Sequence, residues 1–478
     1  MIDPINESMD RSSDLSIDLL RNGAQLASLG YIPSAIAYFL LCLRCDPENS
    51  IALSNLGEAF RIQGELKRAE QCLIEAVKIE PSNANALYNL GVLYQQLDHL
   101  NIAIDLYEKV LVVSPDNARA IYNLAICHKS CGHLDVSHRY YEYLFVAGDK
   151  RPEFLWNYSL VKLKIGDYAQ GLHLYENRFY ENSSVRPIIQ PPIDKITALK
   201  GEVLDGILVV AEQGLGDTIQ FVRYCSALNE LQVPFEVCVP ESLFELLSGS
   251  ITDISFIHPH QVNHQWLQSH SKWKWIPMMS LPHALSIDPS RSGSQSKYLV
   301  AEHRLVTEWQ TTINIPNHIR IGLSWQGNPG TESSNLRGRS IPLSEFKPLL
   351  LLENIKLVCL QHGFGVEQLE RCEFLNYFVT HNHRIDFMGH FKQVLAIMNH
   401  CDVIITSDTA VAHLAGAAGL RVYLLLHSNC DWRWGSESNT TFWYENTTIF
   451  RQKISGKWND VFDEVVHAVA CEFNLSMR

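Results

Sequence analysis

The sequence has no dense cysteine framework, no excess of positive charge, no long apolar run and no leader-like start, and each absence removes a class of function. The twelve cysteines in 478 residues are scattered, as at Cys42, Cys72, Cys225 and Cys401. That distribution fits free thiols of a reducing compartment better than a disulfide scaffold or a zinc site. Lys and Arg number 39 against 52 Asp and Glu, a formal charge of −13, so the basic surface a nucleic acid demands is missing and no such partner is expected. A small anionic ligand is still permitted, because it needs only a local cluster of donors. No stretch approaches the ~18 uninterrupted apolar residues of a spanning helix, so no transmembrane segment is expected. The opening Met1-Ile2-Asp3-Pro4-Ile5-Asn6-Glu7 carries neither the basic start nor the apolar core of a secretory signal. A soluble, cytoplasmic protein is the expectation.

What is there is globular: 46% hydrophobic and 19% charged residues, with length enough for about two to four domains. The clearest regularity is a period of 34 residues. Asn55, Asn89, Asn123 and Asn157 keep it, as do Pro47, Pro81 and Pro115. Gly30, Gly64, Gly132 and Gly166 keep it too, with Asp98 in the remaining slot. Each unit reads as two helices. Leu53, Leu56, Gly57 and Phe60 make one apolar stripe, Gly64 the turn, and Ala69, Leu73 and Ala76 the second stripe, which Pro81 closes. The pattern resembles the tetratricopeptide repeat over residues 16–186, predicting an α solenoid of helix pairs. Such a solenoid presents a concave surface for a protein or peptide. Asn55, Asn89 and Asn123 are candidates to hold that peptide's backbone, or equally to bond the neighbouring repeat.

Pro187, Pro191 and Pro192 favour extended backbone, so residues 187–205 are expected to be a linker. Beyond it, short apolar runs alternate with helices: Ile207–Ala211, Ile319–Trp325, Lys356–Leu360, Asp402–Thr406 and Arg421–Leu426. This predicts parallel sheets in two Rossmann-like lobes, 206–316 and 317–478, with ligands at the carboxyl ends of strands. The loops there carry the candidate chemistry. Gly214-Leu215-Gly216-Asp217 lets backbone approach a ligand, and Asp217 is either a reactive carboxylate or a helix cap. Ser407, Asp408, Thr409 and Ala410 open a helix that includes His413, a cradle for a diphosphate. Arg337 and Arg339 follow the strand ending at Gln326 and Asn328 and suit phosphate oxygens. Asp431-Trp432-Arg433-Trp434-Gly435 adds aromatic surface and a cation, either stacking a base or sugar or packing the cleft wall.

Taken in order, Glu212–Thr218, Gly322-Leu323-Ser324-Trp325-Gln326-Gly327-Asn328-Pro329, Arg339-Ser340-Ile341-Pro342-Leu343 and Ser407–Ala417 resemble the heptosyltransferase-type glycosyltransferases of family nine. The likeness covers about 205–455 and is greatest to the branch fused to tetratricopeptide repeats, which includes bacterial flagellin and protein glycosyltransferases. The resemblance implies a GT-B fold and an inverting, metal-independent transfer from a nucleotide sugar, with no cofactor. It assigns Asp217 as general base and Arg339 to the departing diphosphate. Gly214, Gly216, Gln326, Asn328, Arg337, Gln361, Ser407, Asp408, Thr409, Ala410, His413, Asp431 and Trp432 fall on the donor side. The acceptor implied is a Ser or Thr hydroxyl of a protein held by the repeats. The alternatives are a lipid or polysaccharide acceptor, or a non-catalytic adaptor that binds nucleotide.

Overall fold

The structure, a computed structural model, describes residues 4–478 apart from 182, 200, 213, 292–296, 333–337 and 381–390. The chain divides into two compact units, Met1–Phe154 and Leu155–Arg478. The first contains four helix pairs: Pro4–Ser28 with Ile32–Cys45, Ser50–Ile62 with Leu66–Ile79, Ala84–Gln96 with Leu100–Val113, and Ala118–Ser130 with Leu134–Val146.

Local rules recur in register. Asn49, Asn83 and Asn117 cap the first helix of three successive pairs, each side chain accepting from the backbone N–H three residues on, at 2.9, 3.0 and 3.1 Å. Gly30, Gly64 and Gly132 turn the pairs at φ 83°, 82° and 81°, and Asp98 takes their slot at φ 64°. Gly57 and Gly91 let helices touch: an added Cβ would lie 2.6 Å from Leu73 and 2.7 Å from Tyr107. Leu56, Phe60, Ala69, Leu73, Leu90 and Tyr107 fill the shared core. Cys42 and Cys45 stand at Cys-x-x-Cys spacing, a pairing that a scattered distribution overlooks. Both are free, like the other ten, and Cys42 is buried against Ser16.

The fifth helix pair, Pro152–Lys164 with Tyr168–Tyr175, keeps the 34-residue register but falls largely in the second unit. Leu163, Leu172 and Tyr175 join that unit's core, whereas periodicity alone extends the repeats to residue 186. Nor is the proline-rich stretch a free linker. Pro187 bridges Glu212 and Lys195 bridges Trp275, while Ile188, Ile189 and Ile193 pack on Leu208, Val210 and Trp275.

Two parallel sheets follow. The strands β1 (Ile207–Val210), β2 (Phe235–Cys238), β3 (Phe256–Ile257) and β4 (Lys274–Pro277) lie in the order β3-β2-β1-β4. The second set is β5 (Ile319–Ser324), β6 (Ile355–Cys359), β7 (Phe378–Thr380), β8 (Val403–Ser407), β9 (Val422–Leu426) and β10 (Thr447–Arg451), ordered β10-β9-β8-β5-β6-β7. In both sheets the first strand lies between its second and its fourth, so the chain reverses direction beside β1 and beside β5. At such a switch point the loops part and leave a crevice at the carboxyl ends. Helices Leu215–Phe221 and Ala410–Ala417, which leave β1 and β8, pack against each other. A single apolar cluster holds Ile207 and Val209 of one sheet with Ile404, Val422 and Leu424 of the other.

Candidate functional site

The loop after β1 is shaped by the side chain it carries. Gly214 is the N-cap of Leu215–Phe221 in extended conformation, and Asp217 sits in the first turn, so it is not the helix cap. The Asp217 carboxylate folds back over Gly214, where a Cβ would lie 2.1 Å from Oδ2. Gly216 meets the helix that leaves β8: a Cβ there would lie 2.7 Å from Cδ2 of His413. Both glycines of Gly-Leu-Gly are therefore required by contacts with the residues singled out for chemistry.

Asp217 faces Arg433. The guanidinium Nη2 donates to Asp217 Oδ1 at 2.6 Å, Nη1 to Asp431 Oδ1 at 2.7 Å, and Nε to Gln220 Oε1 at 2.8 Å. Arg433 is 8% exposed at its side chain and Asp217 32%, so the carboxylate keeps part of its surface open while its partner is enclosed. Burial raises the Asp217 pKa above the ordinary carboxylate range. Arg433 opposes that rise, Asp431 and Glu212 add to it, and Arg339 opposes it more weakly. Asp431 goes the other way: burial pushes it up, but Arg433, hydrogen-bonding through side chain and backbone, holds it below its usual value.

The facing wall is the end of β8. Ser407 is fully buried with an unpartnered hydroxyl, and Thr409 occupies the N-cap of Ala410–Ala417. Asp408 is pushed up to about 6 by burial and by the Asp431 charge, with Arg339 opposing. His413 is held down to about 3 by burial and by Arg433, so its imidazole is neutral. Its Nδ1 lies 2.9 Å from the Tyr444 hydroxyl, and its ring stacks on Trp434 at 5.3 Å. Arg339 comes from the loop after β5, where its guanidinium leaves no room for a Cβ at Gly327. Its charge is felt by Asp217, Asp408, His413 and His427.

The remaining expected residues are used differently. Gln361 is 4% exposed and spends its amide on backbone: Oε1 accepts from the N–H groups of Trp325 and Gln326, and Nε2 donates to the carbonyls of Gln326 and Phe364. It holds the β5 loop in shape, with both atoms of its side-chain amide engaged. Gln326 accepts from Gln368 at 2.9 Å, and Asn328 caps a short 3-10 turn through Gly330. Trp432 is 3% exposed against Trp443 and Tyr175, a wall residue and not a stacking platform. Arg337 lies outside the described residues. In the first unit Asn89 donates to Ser54 of the preceding repeat at 3.1 Å, and Asn123 to Tyr88 and Tyr107. Both therefore bond within the array, while Asn55 is half-buried.

Three residues escape sequence reasoning as partners. Arg433 is visible only as a cation in an aromatic segment. His427, directly after β9, is 4% exposed with an unpartnered Nε2 and is held down to about 4 by burial, Lys164 and Arg339. Arg178, fully buried, makes a two-point pair with Glu212 at 2.9 and 2.8 Å and donates to Ser280. Only its place just past the last periodic helix could have marked it. Among the described residues no group of three or more His, Cys, Asp or Glu is placed to hold a metal ion.

Two family models match within the first unit. A family model described as TPR repeat matches residues 57–98, and one described as Tetratricopeptide repeat matches 84–117. The first unit thus contains tetratricopeptide repeats. Protein FlbA of Caulobacter vibrioides is 21% identical over 328 residues, covering 65% of this chain and 54% of that protein, so the chain spans about half the length of this relative. Among solved structures, MamA is 22% identical, with 32% of this chain and 91% of that one covered at TM-score 0.30. The Pseudomonas aeruginosa pilF structure is 17% identical, with 36% and 79% covered at TM-score 0.34.

Proposed function

We propose that the second unit is an inverting, metal-independent glycosyltransferase of GT-B type that takes a nucleotide sugar as donor. In this reading the tetratricopeptide repeats recruit a protein whose Ser or Thr hydroxyl is the acceptor. The observation that carries the proposal is the Asp217 carboxylate, made more basic by burial yet still partly exposed, on a loop that touches His413 and Ala410 after β8 and within reach of the Arg339 charge. Oδ1 is taken by Arg433, which leaves Oδ2 to accept a proton. As the acceptor oxygen attacks the anomeric carbon, the bond to the diphosphate breaks and the hydroxyl proton passes to Asp217. Arg339 and the N-terminus of Ala410–Ala417 would receive the charge that builds on the leaving diphosphate.

The test is Asp217→Asn in the full chain. Nucleoside diphosphate release from ADP- and UDP-sugars should fall by about 10²–10⁴, while binding of ADP or UDP, read as a rise in Tm, stays close to wild type. Undiminished turnover would remove Asp217 from the role of base. Repeats of this kind favour a polypeptide partner, and that half of the proposal is read by transfer to protein compared with hydrolysis of the donor.

A further inference from the structure

The residues around the Asp217–Arg433 pair do not all come from the two lobes. One segment, 164–178, which follows the 34-residue register of the repeats, reaches both loops that carry the pair. Lys164, the last residue of Pro152–Lys164, donates from Nζ to the carbonyl of Cys430 at 2.5 Å and lies 3.4 Å from Asn429 Oδ1. Tyr175 sets its ring edge-on to Trp432 at 6.4 Å. Arg178 grips Glu212, two positions before Gly214 in the sequence. Three side chains from a single segment thus hold Asn429, Cys430 and Trp432 on one side and Glu212 on the other.

We infer that Lys164 is a positioning residue for Asp217: it anchors the loop after β9 and offsets the charge of Asp431, so that Arg433 stays shared between the two carboxylates. The inference rests on the reading of Asp217 as the base. Cys430 is 4% exposed, so its carbonyl depends on a protein donor, and the ammonium is the partner provided. Lys164 itself has its pKa lowered by burial, with Cys430 and Asp431 working against that fall. It is also among the groups that hold Asp431 down.

The charged groups that act on Asp217 are Arg433 and Asp431 after β9, Glu212 on its own loop and Arg339 after β5, with Tyr175 of the repeat-like pair also within its reach; Asp408 and His413 answer to the same Arg433, Asp431 and Arg339. Without Lys164, the Asp431 charge is less compensated and its loop is held by one fewer bond. Both changes make Asp217 harder to ionise.

The experiment uses the full chain labelled with ¹³C-aspartate. The Asp217 carboxylate band is assigned by infrared difference against Asp217→Asn and followed over pH in the wild type, Lys164→Met and Lys164→Arg. The expected result is a midpoint raised by about one pH unit in Lys164→Met and restored in Lys164→Arg, with Tm recorded for all three. An unmoved midpoint in Lys164→Met overturns the inference, and so does an equal rise in both variants, which assigns the effect to packing. Turnover is read separately. A wild-type chain that releases no nucleoside diphosphate from ADP- or UDP-sugars overturns the glycosyltransferase reading, and the titration still decides the role of Lys164.

Discussion

In the first unit, what a position requires is set by neighbours within one turn or one repeat; in the second, the site also depends on residues tens to hundreds of positions away. Gly64 is glycine because its own φ is 82°, and Asn83 is asparagine because Ala86 has an N–H to cap. Gly216 is glycine because His413 stands over it, and Asp217 is held by a guanidinium 216 residues along the chain. The contrast separates two kinds of energetics. Repeat stability should approach a sum of local contributions, whereas the crevice of the second unit should behave as one coupled network.

The largest expected break is at Arg433. Replacing it with methionine keeps apolar bulk but leaves Asp217 and Asp431 without their shared cation. Breaking an enclosed ion pair on one side costs about 3–5 kcal/mol, so unfolding of the second unit in urea should move to clearly lower concentration. Adding Asp217→Asn to Arg433→Met should recover about 1–3 kcal/mol, because the stranded charge is gone. Independent, summed losses would show that the pair is not coupled, and the contrast between the units would lose its main support.

A smaller effect has a pH signature. Asp408 is 8% exposed and pushed up to about 6 from 3.8, so the folded state holds its proton more tightly than the unfolded chain. Stability from this group is greatest below about 4, falls as pH rises through 6, and is then absent. Asp408→Asn should therefore stabilise the second unit by about 2 kcal/mol at pH 8 and by almost nothing at pH 4. His427, held down to about 4 from 6.5, works in the opposite sense. The folded state binds its proton less well, so its contribution is present above 6.5 and is lost on acidification. Tm against pH for Asp408→Asn and for His427→Gln, each relative to wild type, should diverge in opposite directions, and parallel curves would contradict the assignment.

Legibility followed the same divide. The 34-residue register, the turn glycines and even the substitution of Asp98 were readable, because each is a backbone requirement repeated along the chain. The P-x-N spacing at Asn49, Asn83 and Asn117 was equally available, since it precedes each first helix by one residue. In the second unit β1, β8 and β9 are largely apolar runs, and β5 and β6 are interrupted only near their starts by Arg320 and Lys356, so all five were readable as strands. β3, at two residues, and β2, with Glu236 in its middle, are too short or too mixed to stand out before neighbours are known. Site positions on one loop, such as Gly214 and Asp217, could be proposed together. The pairings Asp217 with Arg433 and Glu212 with Arg178 could not, because a sequence without its fold gives no reason to bring distant charges together.

The smallest effects test the additive side. Asn49 and Asn117 are helix caps two repeats apart, and replacing either with alanine should cost about 1 kcal/mol. With no shared partner, the double substitution should cost their sum to within about 0.5 kcal/mol in denaturant unfolding. Asn83 is the informative exception: besides its cap it donates to Ser50 of the preceding repeat at 3.0 Å. Asn83→Ala should thus exceed either outer cap by about 0.5–1.5 kcal/mol, and the excess should vanish in a Ser50→Ala background. An excess that survives there would place the bond's worth elsewhere. A double outer variant that departs from the sum would mean that the repeats, too, answer to distant residues.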